Sequence, residues 1–205
     1  MSYIDALYKK DEDKVYVVER NEKGERVFVD YDARYVFYYP DARGKHRSMT
    51  GEVLQKIQCS TQKEFIKEQR IRSNKKLFEN DINPVFRCLE ENYLGKESPK
   101  LNVCFFDIEV DFDPERGYAS TDDPFMPITA ISCYMSWTDQ LVTFAKIPKG
   151  MNMATALLQT ERFDNTMLFD NEKEMLDAFL TLIEDADILS GWNSEGYDIP
   201  YTVGR

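Results

Sequence analysis

Two short segments of this chain hold side chains that could do metal chemistry together. In Phe105-Phe106-Asp107-Ile108-Glu109-Val110, two carboxylates stand at i and i+2 of an otherwise apolar run. Successive strand residues point to opposite faces, so Asp107 and Glu109 share one. In Gly191-Trp192-Asn193-Ser194-Glu195-Gly196-Tyr197-Asp198, the residues Asn193, Tyr197 and Asp198 fall at the turn into a helix start. Asp107, Glu109 and Asp198, gathered at strand and helix ends, are the hard oxygen donors that a pair of divalent ions such as Mg²⁺ or Mn²⁺ requires. An Asp-x-Glu triplet alone says little in a chain this acidic, and Asn193-x-x-x-Tyr197-Asp198 alone reads as a helix cap with an aromatic packing partner. Their order and separation give the combination weight. So does the position of the triplet after Cys104-Phe105-Phe106, because acids inside a buried strand are costly unless paired or metal-bound.

Other ligand chemistries find little support. The four cysteines (Cys59, Cys88, Cys104, Cys133) form no CxxC pair and His46 is the sole histidine. A thiolate or imidazole site is therefore not expected, and the thiols read as buried and reduced, as in a cytosol. Asp111, Asp113 and Glu115 lack the glycine and closing glutamate of an EF-hand loop and read as solvated. No charged-then-apolar leader and no run of 18 apolar residues occur, which implies neither secretion nor a membrane span.

Charge divides the chain. The net charge is −11 over 205 residues, with 42% apolar and 13% aromatic side chains, enough for a real core. Residues 1–100 carry 20 Lys and Arg against 18 Asp and Glu, a net of +2, and residues 101–205 carry a net of −13. That asymmetry predicts two units with different electrostatic roles, 1–100 and 101–205. An acidic half binds a polyanion poorly by itself, because phosphate affinity comes mainly from Lys and Arg. Metal ions held by acids reverse the local field; most of these acids nevertheless read as a solvated surface.

The elements that must position the motifs follow from pattern. Val15–Arg20 and Arg26–Tyr31 flank Asn21-Glu22-Lys23-Gly24 and predict a hairpin, with Tyr35–Tyr39 as a third strand ended by Pro40. Arg43–Arg47 reads as an exposed basic loop. Thr61-Gln62-Lys63-Glu64 has the capping-box pattern and opens a helix. From Lys63 to Lys76 there are six basic residues against two acids, either a phosphate-contacting face or the polar side of an ordinary amphipathic helix. Asn83 and Pro84 suit the N-cap and first position of another helix, and Gly95–Lys100 reads as a linker.

The second half is α/β in pattern. Leu101–Val110 is nearly continuous in apolar residues and predicts a strand buried on both sides of a sheet. Residues 111–127 hold five acids and three prolines and read as a loop. Ile128–Trp137 and Gln140–Ile147 predict a hairpin. Asp170–Glu174 starts a helix whose Met175, Leu176, Phe179, Leu182 and Ile183 form one apolar stripe, and Ile188–Trp192 is a short strand delivering the second motif.

Phe106-Asp107-Ile108-Glu109-Val110 and Gly191-Trp192-Asn193 with Tyr197-Asp198-Ile199-Pro200-Tyr201 resemble the first two exonuclease motifs of family B DNA polymerases. Leu168–Glu172 and the segment Glu79-Asn80-Asp81-Ile82 through Arg87 and Leu89 strengthen the likeness, which is nearest to replicative polymerases of large tailed bacteriophages. The resemblance implies α/β and α+β architecture: a β-rich N-terminal domain over 1–100, then the first part of a ribonuclease-H-like 3′→5′ exonuclease domain over 101–205, a mixed sheet with flanking helices. It also implies two-metal proofreading on single-stranded DNA 3′ ends, coupled to DNA synthesis on primer-template DNA in the cytoplasm of a bacterial host. The remaining polymerase segment or subunit and a sliding clamp are the implied partners. Asp107 would bridge both ions, Glu109 would hold the attacking water, and Asp198 would complete the other ion's shell. Asn193 would tie the turn to the first strand near the terminal nucleotide, and Tyr197 would pack beneath Asp198.

The family's third motif, a Tyr-x-x-x-Asp that follows the second, is not found between Asp198 and Arg205, and no palm-domain carboxylate pair occurs. The expectation is therefore a fragment or one piece of a split polymerase, without polymerase activity and with little exonuclease activity alone. Two other readings stand beside it. One is a non-catalytic nucleic-acid- or replisome-binding module; the other is a small self-sufficient nuclease recruiting Asp164, Asp170 or Asp185.

Overall fold

The computed structural model describes residues 2–205, which form two compact units, one ending at Pro99 and the other spanning Lys100–Arg205.

The first unit contains two three-stranded antiparallel sheets. Strands β1 (Ser2–Lys9), β2 (Lys14–Arg20) and β3 (Arg26–Asp32) pair in the order β1-β2-β3. The β2–β3 turn closes because Gly24 takes φ +83° and Asn21 Oδ1 accepts from the amides of Lys23 and Glu25, at 2.9 Å each. Strands β4 (Tyr35–Pro40), β5 (His46–Arg47) and β6 (Val53–Cys59) form the second sheet, ordered β4-β6-β5. Tyr35–Tyr39 thus does not extend the hairpin. Its partner is β6, and the hairpin's third strand is β1, which alternates half-buried and exposed residues. The basic stretch Arg43–Arg47 is exposed as expected at its charged residues, but its last two residues pair with β6.

Helices α1 (Gln62–Ile71) and α2 (Pro84–Tyr93) begin where their caps dictate. Thr61 Oγ1 accepts from the Glu64 amide, and Glu64 reaches back to the Ser60 amide, one residue before the cap. Asn83 Oδ1 accepts from the Val85 amide ahead of Pro84. The core of this unit joins Val15, Val17, Ala33, Tyr35, Cys59, Cys88 and Tyr93.

The second unit is built on one mixed sheet. Strands β7 (Val103–Val110), β8 (Ile128–Met135) and β9 (Gln140–Lys146) make an antiparallel meander. Helix α3 (Met153–Thr160) leads to β10 (Thr166–Phe169), parallel to β9; helix α4 (Glu172–Leu182) leads to β11 (Ile188–Ser190), parallel to β7; helix α5 (Asp198–Gly204) follows. The sheet order is β10-β9-β8-β7-β11. Asn171 caps α4 through the Glu174 amide, and Met175 and Phe179 are buried. Phe179 packs on Phe106 and Phe144, with ring centroids 5.5 and 6.3 Å apart.

Strand β7 departs from its expected double burial. Cys104, Phe106 and Ile108 lie in the core, whereas Phe105, Asp107 and Glu109 are exposed on the opposite face. The apolar run therefore hides a strict alternation, with Phe105 the one large apolar residue on the acid-bearing side. All four cysteines are free and buried.

Both tryptophans lie in the second unit, so their fluorescence reports its unfolding alone. Phe179→Ala should lower its stability by about 3–5 kcal/mol, the loss expected for a truncated core phenylalanine. Urea unfolding followed by tryptophan emission measures it.

Candidate active site

Strand β7 carries the acids because of where it sits. It is flanked by β8 along its whole length and by β11 only as far as the Phe105–Ser190 pair. Asp107 lies opposite Ser132 and Glu109 opposite Ala130. Immediately beyond Glu109 the register shifts, Val110 pairing with Ile128, and Thr129 Oγ1 donates to the Glu109 carbonyl. A bulge at that point bends the strand end carrying Glu109 and re-aims it.

Where β11 stops, the chain must leave the sheet without losing contact with β7. Gly191 makes this possible: a Cβ there would stand 2.2 Å from the Phe106 carbonyl oxygen. Asn193 then takes φ +55°, a left-handed conformation that asparagine tolerates better than most residues. Its carbonyl accepts from the amides of Gly196 and Tyr197, at 3.0 Å each. Ser194 is buried and its carbonyl accepts from Ile199. The turn delivers Asp198 as the first residue of α5.

Asp198 is 3% exposed, and its Oδ1 accepts from the Ile108 amide at 3.1 Å. Ile108 is the residue between Asp107 and Glu109. The buried carboxylate thus takes over a backbone donor of β7 beyond the end of β11, and places itself at the strand segment that bears both exposed acids. Tyr197 stacks on Tyr201, ring centroids 5.4 Å apart, and the buried Tyr201 hydroxyl donates to the Met126 carbonyl at 2.7 Å. Burial first, and then the charge of Asp198, push the Tyr197 phenol above its ordinary range, so it remains a neutral hydroxyl.

The structure thus puts Asp107 and Glu109 on one face and anchors Asp198 to the amide between them. Asn193 does not make the tie to β7 expected of it; it shapes the turn, while Asp198 bonds to β7 and Gly191 leaves room for the approach. Among the described residues no group of three or more His, Cys, Asp or Glu side chains is poised around a single metal position. The donors nevertheless suit a hard divalent ion, two exposed carboxylates with no soft ligand beside them. Of the acids considered as substitutes, Asp185 accepts from the Asn102 side chain at 2.8 Å, and Asp164 and Asp170 are exposed. In the acidic loop, Asp113 Oδ1 accepts from the amides of Arg116 and Glu115, which hold its carboxyl below the usual range. That is an Asx-type turn on a solvated loop. The sequence motif by itself assigns Gly191 no task. Its signal, a glycine directly after a short strand, is the usual mark of close backbone approach.

A mixed five-stranded sheet with an acid pair on β7, met by a buried aspartate from α5, is a ribonuclease-H-like arrangement. The sequence model for the exonuclease domain of DNA polymerase family B matches residues 52–205, and the chain belongs to that family. It is 33% identical over 125 residues to the DNA-directed DNA polymerase of Escherichia phage RB69, covering 52% of this chain and 14% of that protein. It is 32% identical over 103 residues to the DNA-directed DNA polymerase of Enterobacteria phage T4, covering 47% and 11%. Against the DNA polymerase delta catalytic subunit of Plasmodium falciparum it is 26% identical over 159 residues, covering 73% and 13%. The chain thus spans only a small part of these relatives. The family B DNA polymerase of the archaeon Pyrobaculum calidifontis shares the fold, with a TM-score of 0.63 at 16% identity over 98% of this chain and 31% of that one. Among the described residues no helix is long and apolar enough to cross a membrane.

Gly191→Ala should cost about 1–3 kcal/mol, because its methyl group meets backbone rather than a movable side chain. A lowered urea midpoint by tryptophan fluorescence, with β7 amides near Phe106 the most shifted in NMR spectra, is the expected result.

Proposed function

We propose that this chain is the N-terminal part of a DNA-directed DNA polymerase and contributes three carboxylates to a two-metal 3′→5′ proofreading exonuclease acting on single-stranded DNA ends. The observation that carries this reading is the Asp198–Ile108 hydrogen bond, which joins the second motif to the strand bearing the first. Asp107, Glu109 and Asp198 would hold two Mg²⁺ or Mn²⁺ ions. When bound, such ions supply a hydroxide nucleophile at neutral pH and stabilise the leaving 3′ oxygen.

The residues of the chain then have separate tasks. Asp107 and Glu109, exposed on the open face of β7, are accessible to a substrate phosphate and to water. Glu109 orients the attacking water by accepting its hydrogen bond. Asp198 contributes from beneath, with one oxygen committed to the Ile108 amide and therefore little freedom to turn. Asn193 and the neutral Tyr197 hydroxyl lie on the same turn and would meet a terminal nucleotide as hydrogen-bonding groups rather than as bases. Template-directed synthesis is an activity of the relatives as whole proteins, and this chain would share it only as part of such an assembly, with primer-template DNA and the remaining polymerase segment as partners.

One observation favours the binding-module reading for the first unit. Lys75 stands over the Tyr39 ring and Lys76 over Phe78, each at 4.5 Å, and both lysines are exposed. Cations beside aromatic rings suit a single nucleic-acid strand.

Calorimetric titration with Mn²⁺, run beside cleavage of a 3′-labelled single-stranded oligonucleotide, tests the proposal. Asp107→Ala should abolish the binding heat and reduce whatever cleavage the chain shows by at least about a hundredfold, as loss of a ligand worth several kcal/mol requires. Equal Mn²⁺ binding by both proteins would overturn it.

A further inference from the structure

Helix α5 has seven residues, and its N-cap, Tyr197, makes no side-chain capping bond. Without a side-chain cap, the start of the helix is not fixed by its own first turn. Yet it must hold Asp198 to within hydrogen-bonding distance of one particular amide. Something outside the helix has to fix it.

That something lies at its other end. Arg205, the C-cap, donates through Nε to Glu172 Oε1 at 2.9 Å and through Nη2 to Glu172 Oε2 at 2.5 Å. Its Nη1 donates to the Pro124 carbonyl at 2.8 Å. Glu172 Oε1 also accepts from the Ile128 amide at 2.8 Å. Ile128 is fully buried, opens β8 and pairs with Val110 at the bulge beside Glu109. The two charged side chains are mostly shielded, 24% and 16% exposed. Gly204 packs against the same proline, leaving no room for a side chain: a Cβ there would stand 2.8 Å from Pro124 Cγ.

One carboxylate therefore joins the first turn of α4, the start of β8 and the end of α5. We propose that Glu172 and Arg205 are positioning residues for the site, a clamp that sets where Asp198 stands against β7. Neither touches the open face of β7; they act through α5. A fork-shaped guanidinium meeting both oxygens of a carboxylate fixes direction as well as distance, which a lysine cannot do. The clamp deepens the nuclease reading, on which its functional meaning rests, but its geometry can be tested without metal, DNA or activity.

Amide hydrogen exchange by NMR on the metal-free chain is that test. In Arg205→Gln, exchange at Ile108 should accelerate about tenfold, the scale of one charge-assisted hydrogen bond, while the β8 and β9 amides keep their protection. Arg205→Lys keeps the charge but not the fork and should recover part of the protection. Unchanged exchange at Ile108, or parallel acceleration across β8 and β9, would overturn the clamp. A selective effect at Ile108 in a chain that binds no Mn²⁺ would leave the clamp standing and remove the nuclease reading.

Discussion

The second unit depends on a single constraint: the donors of β7 must be satisfied after β11 ends. Strand β11 has three residues and pairs with β7 only to Phe105, so the next outward amide, that of Ile108, needs another acceptor. Asp198 supplies it. A buried carboxylate without partners would be costly, and a buried amide without an acceptor costs about 1–3 kcal/mol. Each group removes the other's penalty. The same bond carries the second motif to the first across 90 residues of sequence, so backbone satisfaction and site assembly are one event.

Much of the surrounding structure serves that meeting. Gly191 lets the chain approach the Phe106 carbonyl, Asn193 accepts a left-handed conformation, and the Tyr197–Tyr201 pair backs the helix that follows. Behind β7, Phe106 and Ile108 anchor the strand in a core shared with Met175 and Phe179 of α4. The open side holds the acids. A strand whose two faces differ this sharply is packed at the back and accessible at the front.

The elements most legible in the sequence were those with local signals. The β2–β3 hairpin has an Asn-to-Gly turn, α1 and α2 have N-cap residues, and α4 has both a cap and an apolar stripe; each formed near its expected bounds. Those not read lacked such signals. Strand β1 alternates, but exposes Leu7 and Tyr3, so its pattern is weak. Strand β6 interrupts its apolar residues with Gln55 and Lys56. Helix α3 buries only Ala156 and leaves Leu157 and Leu158 exposed, and β10 is four residues long. Tyr35–Tyr39 was legible as a strand but not in its pairing, because β6 lies well beyond any local turn.

The amino-acid sequence determined which carboxylates are candidates for the site: Asp107 and Glu109 share a face because strand side chains alternate, and Asp198 follows a turn that Asn193, at φ +55°, accommodates. It also carried the family likeness, which lives in short contiguous motifs. Only the tertiary structure decided that β7 is buried on one face rather than two, and that the Asp198 hydrogen bond, with Gly191 permitting the close approach, joins the turn to the strand. Only it showed that a glutamate and an arginine 33 residues apart close around the end of α5. The reason is physical. Alternation, caps and turns are settled by neighbours along the chain, whereas burial and long-range hydrogen bonds depend on what the folded sheet brings alongside.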